Sequence, residues 1–109
     1  MLLLEVEIKM EFLKNLGFSD LDIEEIKNAN SEYVIDNIEL NKVEVASIVK
    51  YLLEIGIEKD AVKDIFKEQV NMFFKTKAEI SESFDEYEID TIVKSLNFDV
   101  NNIEMIDFI

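Results

Sequence analysis

The sequence predicts an all-α protein: a right-handed helical repeat or an irregular bundle of about seven to eight short helices. Three observations carry this. The chain has no proline and only two glycines, so helix breakers are almost absent. Its apolar residues recur at helical spacing, as in Val45, Val49, Leu52 and Ile55. The residue pattern around one glycine returns around the other, and again around an asparagine.

Gly17 follows Phe12, Leu13 and Leu16 and precedes Phe18, Ile23 and Ile26. Gly56 follows Tyr51, Leu52 and Ile55 and precedes Ile57, Val62 and Ile65. Asn97 follows Ile92, Val93 and Leu96 and precedes Phe98, Ile103 and Ile106. The separations are 39 residues from Gly17 to Gly56 and 41 from Gly56 to Asn97. Glycine, and after it asparagine, is the residue for a backbone position with positive φ. Gly17, Gly56 and Asn97 are therefore expected to end helices in the left-handed conformation, each with the next apolar residue packing back. The recurrence divides one domain, residues 1–109, into copies over about 4–40, 41–82 and 83–109, two and a half units of three helices with a period of roughly forty. The last copy stops after its second helix, as the end of a stacked array requires.

Element by element, Val6, Met10, Leu13 and Leu16 place an apolar stripe on a long first helix. Taken alone, Leu4 to Lys9 alternate apolar and polar like a strand; the alignment with the later copies assigns helix. Ser19 or Asp20 caps the second helix, and a third lies near 31–40. Asn41 with Glu44, and Ser83 with Glu86, have capping-box spacing and open the second and third copies. The third helix of the second copy lies near 70–77, and Asp99 caps the helix after the third turn.

Leu16-Gly17-Phe18, Ile55-Gly56-Ile57 and Leu96-Asn97-Phe98, with the pairs Ile23/Ile26, Val62/Ile65 and Ile103/Ile106, resemble the helical repeats of the mitochondrial transcription termination factor family. The resemblance covers most of the chain and implies three-helix repeats stacked into a superhelix. The sequence departs from that family in lacking the proline frequent in its repeats and the basic concave groove it uses for nucleic acid. What the resemblance implies is thus an architecture, without nucleic-acid binding.

Composition narrows the chemistry. Twenty-five acidic residues stand against 11 basic ones, all lysine, for a net charge of −14. Histidine, cysteine, arginine and tryptophan are absent, which removes the commonest general base, the thiol nucleophile and the arginine clamp. It also removes disulfides and zinc–sulfur sites. Two carboxylates can still act as in glycosidases, but a small helical chain leaves little room for the cleft they need. No glycine-rich phosphate loop occurs. Neither a signal peptide nor a membrane-length apolar run is present, so a cytoplasmic location and no membrane contact are expected. Abundant Ile, Lys, Asn and Glu without arginine is what an A+T-rich bacterial gene encodes.

Asp20 to Glu25 begins like a calcium loop, but the sixth position, where an EF-hand needs glycine, is Glu25, and the twelfth is Ser31. Asp85, Glu86, Glu88 and Asp90 fare no better as ligands, and acids at a helix start are favoured by the macrodipole in any case. No metal and no cofactor is expected. Lys59, Lys63 and Lys67 form a stripe at i, i+4 spacing, loosely joined by Lys75 and Lys77. Its plain reading is a solvated face paired with Glu58, Asp60, Asp64 and Glu68; its sharper one is a phosphate-binding strip. Met72, Phe73 and Phe74 form an apolar cluster whose plain reading is core, and whose sharper one is a docking patch.

The expected function is a non-enzymatic acidic module that binds a basic protein, its field steering the encounter and a small apolar patch anchoring the contact. The candidate contact residues are Met72, Phe73, Phe74, Asp85, Glu86, Glu88 and Asp90. A DNA mimic, whose carboxylates take the place of phosphates on a nucleic-acid-binding protein, is the sharper version. A nucleic-acid-binding repeat using the lysine stripe, and a homo-oligomeric structural protein, are the alternatives.

Overall fold

The computed structural model describes residues 9–108, and all regular structure among them is helical. The six α-helices are α1 (Asp20–Ala29), α2 (Glu32–Leu40), α3 (Lys42–Ile55), α4 (Lys59–Glu68), α5 (Lys77–Asp85) and α6 (Ile89–Phe98). Three 3-10 helices complete the chain: η1 (Glu11–Leu16), η2 (Val70–Phe74) and η3 (Val100–Met105).

Local chemistry explains most of the boundaries. α1 opens on a full capping box: the Ser19 hydroxyl accepts from the Asp22 N–H at 3.1 Å, and the Asp22 carboxylate accepts from the Ser19 N–H at 3.0 Å. Ser31 caps α2 through the Val34 N–H. The turns at Gly17 and Gly56 have φ of +97° and +111°. In each, the next residue closes the motif: the Phe18 N–H reaches the Leu13 carbonyl at 3.1 Å and the Ile57 N–H the Leu52 carbonyl at 3.0 Å. Phe18, Leu13, Ile57 and Leu52 are all buried, which supplies the apolar contact that accompanies this cap.

At several places the structure departs from the sequence expectation. Asn97 does not take the left-handed conformation; α6 runs through it, and Asp99 follows in extended geometry with φ of −158°. Asp99 does cap the next element, accepting from the Asn101 N–H at 2.9 Å. The long first helix is cut short, because Met10 has φ of +72° and only η1 follows it; Leu4, Val6 and the alternating stretch up to Ile8 lie outside the described residues. Asn41 precedes α3 without a side-chain cap: its amide donates back to the Asn37 carbonyl at 2.9 Å, and the Glu44 carboxylate accepts from the Lys77 N–H at 2.8 Å. Ser83 is buried inside α5 and donates to the Glu79 carbonyl, so it opens no helix. The capping box that does open α5 is Thr76 with Glu79. The helix expected near 70–77 is the short η2, which ends before α5 begins.

One apolar core joins these elements. α4 packs against α1 on one side and η3 on the other, while η1 and α5 pack against α3. η2 folds back on α4 and lays Phe73 on Phe66, rings stacked with centroids 3.8 Å apart. Phe66, Phe73 and Phe84 are the largest fully buried side chains, each contributing roughly 1.5–3 kcal/mol by removal from water. No helix among the described residues is long and apolar enough to cross a membrane.

Two cross-links tie the glycine turns to sequence-distant residues. The Lys59 ammonium donates to the Gly17 carbonyl at 2.8 Å. Asn97 donates to the Gly56 carbonyl at 3.1 Å and accepts from the Glu58 N–H at 2.8 Å. The second bond satisfies an N–H at the start of α4, where Glu58 provides no side-chain cap of its own.

Candidate functional site

α4 carries two charged stripes on one ten-residue helix. Ala61, Val62, Ile65 and Phe66 face the core. Lys59, Lys63 and Lys67, four residues apart, fall on one flank; Asp60, Asp64 and Glu68, each one position later, fall on the other.

The lysine flank meets α1. Lys63 lies 3.2 Å from Asp22 and 3.5 Å from Glu25, and Lys67 lies 3.5 Å from Glu25. The Lys63 and Asp22 side chains are each only 16% exposed, which withdraws them from any external anion. The Ser19 backbone N–H, seconded by Lys63, holds the Asp22 carboxyl below its ordinary pKa. The hydrogen bond to Asp22 raises that of Lys63. Hence Lys63 and Lys67 pair with α1 and Lys59 with the Gly17 carbonyl, and the expected partners Glu58, Asp60, Asp64 and Glu68 are left to the other flank. The stripe does not join the other two lysines either: Lys75 sits over the Phe108 ring at 4.7 Å and Lys77 near the Tyr51 ring at 5.9 Å.

The carboxylate flank borders a groove of about 210 Å³ between α4 and the junction of α6 with η3. Glu58, Asp60, Asp64 and Glu68 line one wall; Leu96, Asn97, Phe98 and Asp99 line the other. Among the described residues no lysine forms an ion pair with any of these five carboxylates. Glu68 accepts from the Asn101 amide at 3.0 Å, and Gln69 bridges Asn101 and Glu104 at 2.8 and 2.9 Å. These neutral amide donors fix the end of the groove without cancelling its charge. Phe98 stands at the rim with 89% of its surface exposed, more than any other large apolar side chain described. The expectation that it packs back fails with the left-handed turn at Asn97, because helical geometry there carries its ring outward.

The residues singled out from sequence are dispersed. Met72 and Phe73 are core, at 2% and 1% exposed, so they offer nothing to a partner on this surface. Phe74 is exposed, in a hollow beside Tyr33 and Asn37. Asp85, Glu86, Glu88 and Asp90 are all exposed and cluster where α5 passes into α6. That ridge is at the start of α6, whereas Phe98 ends it, about 12 Å away along the axis. Among the described residues no cluster of carboxylates is arranged to hold a metal ion.

The groove residues were visible only in part. The offset of Asp60, Asp64 and Glu68 by one from the lysines marks a helix with two charged flanks. Which flank faces outward depends on Asp22 and Glu25, some forty residues earlier in the chain.

No protein-family model, curated protein or solved structure matches the chain.

Proposed function

We propose that the protein is a non-enzymatic, acidic binding module whose groove between α4 and α6–η3 receives a basic protein. One observation carries the reading: α4 commits Lys63 and Lys67 to the acids of α1 and Lys59 to the Gly17 carbonyl, and leaves its carboxylates unpaired by lysine around an exposed phenylalanine. Asp60, Asp64 and Glu68 repeat at about 6 Å along the helix, a spacing that lysine or arginine side chains on a partner can follow. Their field steers the encounter and raises the association rate. Phe98 then supplies the apolar anchor in which such contacts concentrate their energy. A basic surface that normally holds nucleic acid is the natural target, so the module acts as a DNA mimic. The stacking of α1 on α4 and of α4 on η3 supports the short right-handed array of helical units behind this surface.

The test is affinity capture with nuclease-treated lysate, using wild type, Asp60→Asn/Asp64→Asn/Glu68→Gln and Phe98→Ser as baits. A basic protein is expected on wild type, displaced by added duplex DNA and by salt. The charge-neutralised bait slows its association about tenfold or more, and Phe98→Ser weakens the complex by about 1–2 kcal/mol. Equal capture by all three baits sinks the groove assignment.

A further inference from the structure

We infer that the groove beside α4 is selective for arginine: it takes a guanidinium of the basic partner against the Phe98 ring, and lysine far less well. The inference rests on the reading of this groove as the site for a basic protein and names the side chain that fills it. At about 210 Å³, the groove is smaller than the roughly 300–1,000 Å³ of sites for small-molecule ligands and suits one inserted side chain. Its buried lining, Ala61, Leu96 and Val100, is apolar. A long methylene stem lies well on such a surface while its charged head reaches the polar walls.

The walls offer that head both acids and a ring. Asp60 and Asp64 stand on one side, Phe98 and Asp99 on the other. Asp64 is half-buried, and among the described residues neither it nor Asp60 has a hydrogen-bond or lysine partner. Phe98 presents an exposed ring, and no cation among the described residues covers it. Elsewhere the chain supplies that cation itself. Glu86, Tyr87, Asp107 and Phe108 form a second hollow of acids and aromatics, and there Lys75 lies over the Phe108 ring at 4.7 Å. The groove beside α4 has the same ingredients without the cation.

Geometry decides between the two basic side chains. A guanidinium is planar and weakly hydrated; it stacks on an aromatic face while its donors point outward, in its plane, toward carboxylates. It can lie on Phe98 and bridge to the acids of both walls. An ammonium is a compact, strongly hydrated point charge, without a flat face to lay on the ring. All 11 basic residues of the chain are lysine, so no arginine of its own competes. Free arginine brings a carboxylate into the same acidic field, whereas arginine within a polypeptide does not; the occupant is therefore a residue of a protein partner.

Fluorescence anisotropy of the full chain with two labelled, unstructured peptides of equal length and charge tests this, at about 0.05 M salt. One peptide alternates arginine with serine, the other lysine with serine. The arginine peptide is expected to bind about five- to tenfold tighter. Phe98→Leu keeps an apolar side chain without the ring and removes the difference, whereas Phe98→Tyr keeps the ring and preserves it. Helical circular dichroism is unchanged in both, because the position is exposed. Asp60→Asn/Asp64→Asn/Glu68→Gln weakens both peptides. Equal binding of the two peptides by wild type, lost on that neutralisation, overturns the arginine preference and leaves the acidic-groove reading standing. A preference that persists in Phe98→Leu overturns it as well. If neither peptide binds, or neutralisation changes nothing, the groove reading falls and the inference falls with it.

Discussion

The turn after α3 and the turn after α6 occupy matching places in the sequence, and they are built from different parts of the residue. At Gly56 the backbone turns, with φ of +111°. A Cβ there would meet the Val93 Cγ1 at 3.4 Å. At Asn97 the backbone stays helical and the side chain acts, spanning back to the Gly56 carbonyl and the Glu58 N–H. One position is held for what it lacks and the other for what it carries, although both sit in the same apolar frame. Substitution of glycine by asparagine in a repeat is therefore ambiguous evidence: it fits a left-handed cap, and it equally fits a hydrogen-bonding side chain on a helix.

Alanine replacements separate the two directly, measured by thermal or urea unfolding. Gly56→Ala has the largest expected effect, about 2 kcal/mol, because left-handed strain adds to the close Val93 methyl. Gly17→Ala costs less, about 1 kcal/mol, since its nearest neighbour is the flexible Lys59 Cδ at 3.8 Å. Equal losses at the two glycines would show that crowding by Val93 contributes nothing.

Next comes Asn97. Asn97→Ala leaves a carbonyl and an N–H without their amide partner, and about 1 kcal/mol is lost because water reaches part of the site. Asn97→Gly is the sharper measurement. A left-handed position gains from glycine, whereas the helical residue seen here loses at least as much as with alanine.

The smallest effect distinguishes the two cross-links by their chemistry. The joint between α1 and α4 is ionic, through Lys63 and Lys67 with Asp22 and Glu25, while the joint at Asn97 is neutral. The Asp22 pKa is lowered in the folded protein, so its contribution is present above the ordinary carboxylate range and is lost as pH falls through the folded value. Lys63 has a raised pKa, and its contribution persists below 10.5 and disappears only above its folded value. Amide exchange in α1 should therefore accelerate first on acidification below about pH 4, before exchange around Asn97. In Asp22→Asn that early step is absent. Simultaneous loss of protection at both joints would contradict the assignment.

Local signals were legible in the sequence, and directional ones were not. The helical class, the Gly17 and Gly56 turns and the paired core residues Ile23/Ile26 and Val62/Ile65 follow from rules that operate within a few residues. Ser83 with Glu86 and Thr76 with Glu79 have the same spacing, yet only the second pair caps a helix. Ser83 faces the core, and nothing nearby in sequence announces that. The same limit applies to Phe98: its exposure follows from the direction in which α6 ends, set by packing against η3 and α5. The candidate groove was hidden for this reason, since the side of α4 left open is decided by two acids on α1.

The reach of Lys59 and Asn97 also bears on how the chain is made. A chain emerging N-terminus first displays the Gly17 carbonyl 42 residues before the lysine that binds it. The Gly56 carbonyl waits 41 residues for Asn97. Each bend is sealed by a stretch synthesised later, so the finished joints appear in the order of translation. A nascent fragment that stops between residues 57 and 96 contains all of α3 and leaves its closing carbonyl to water.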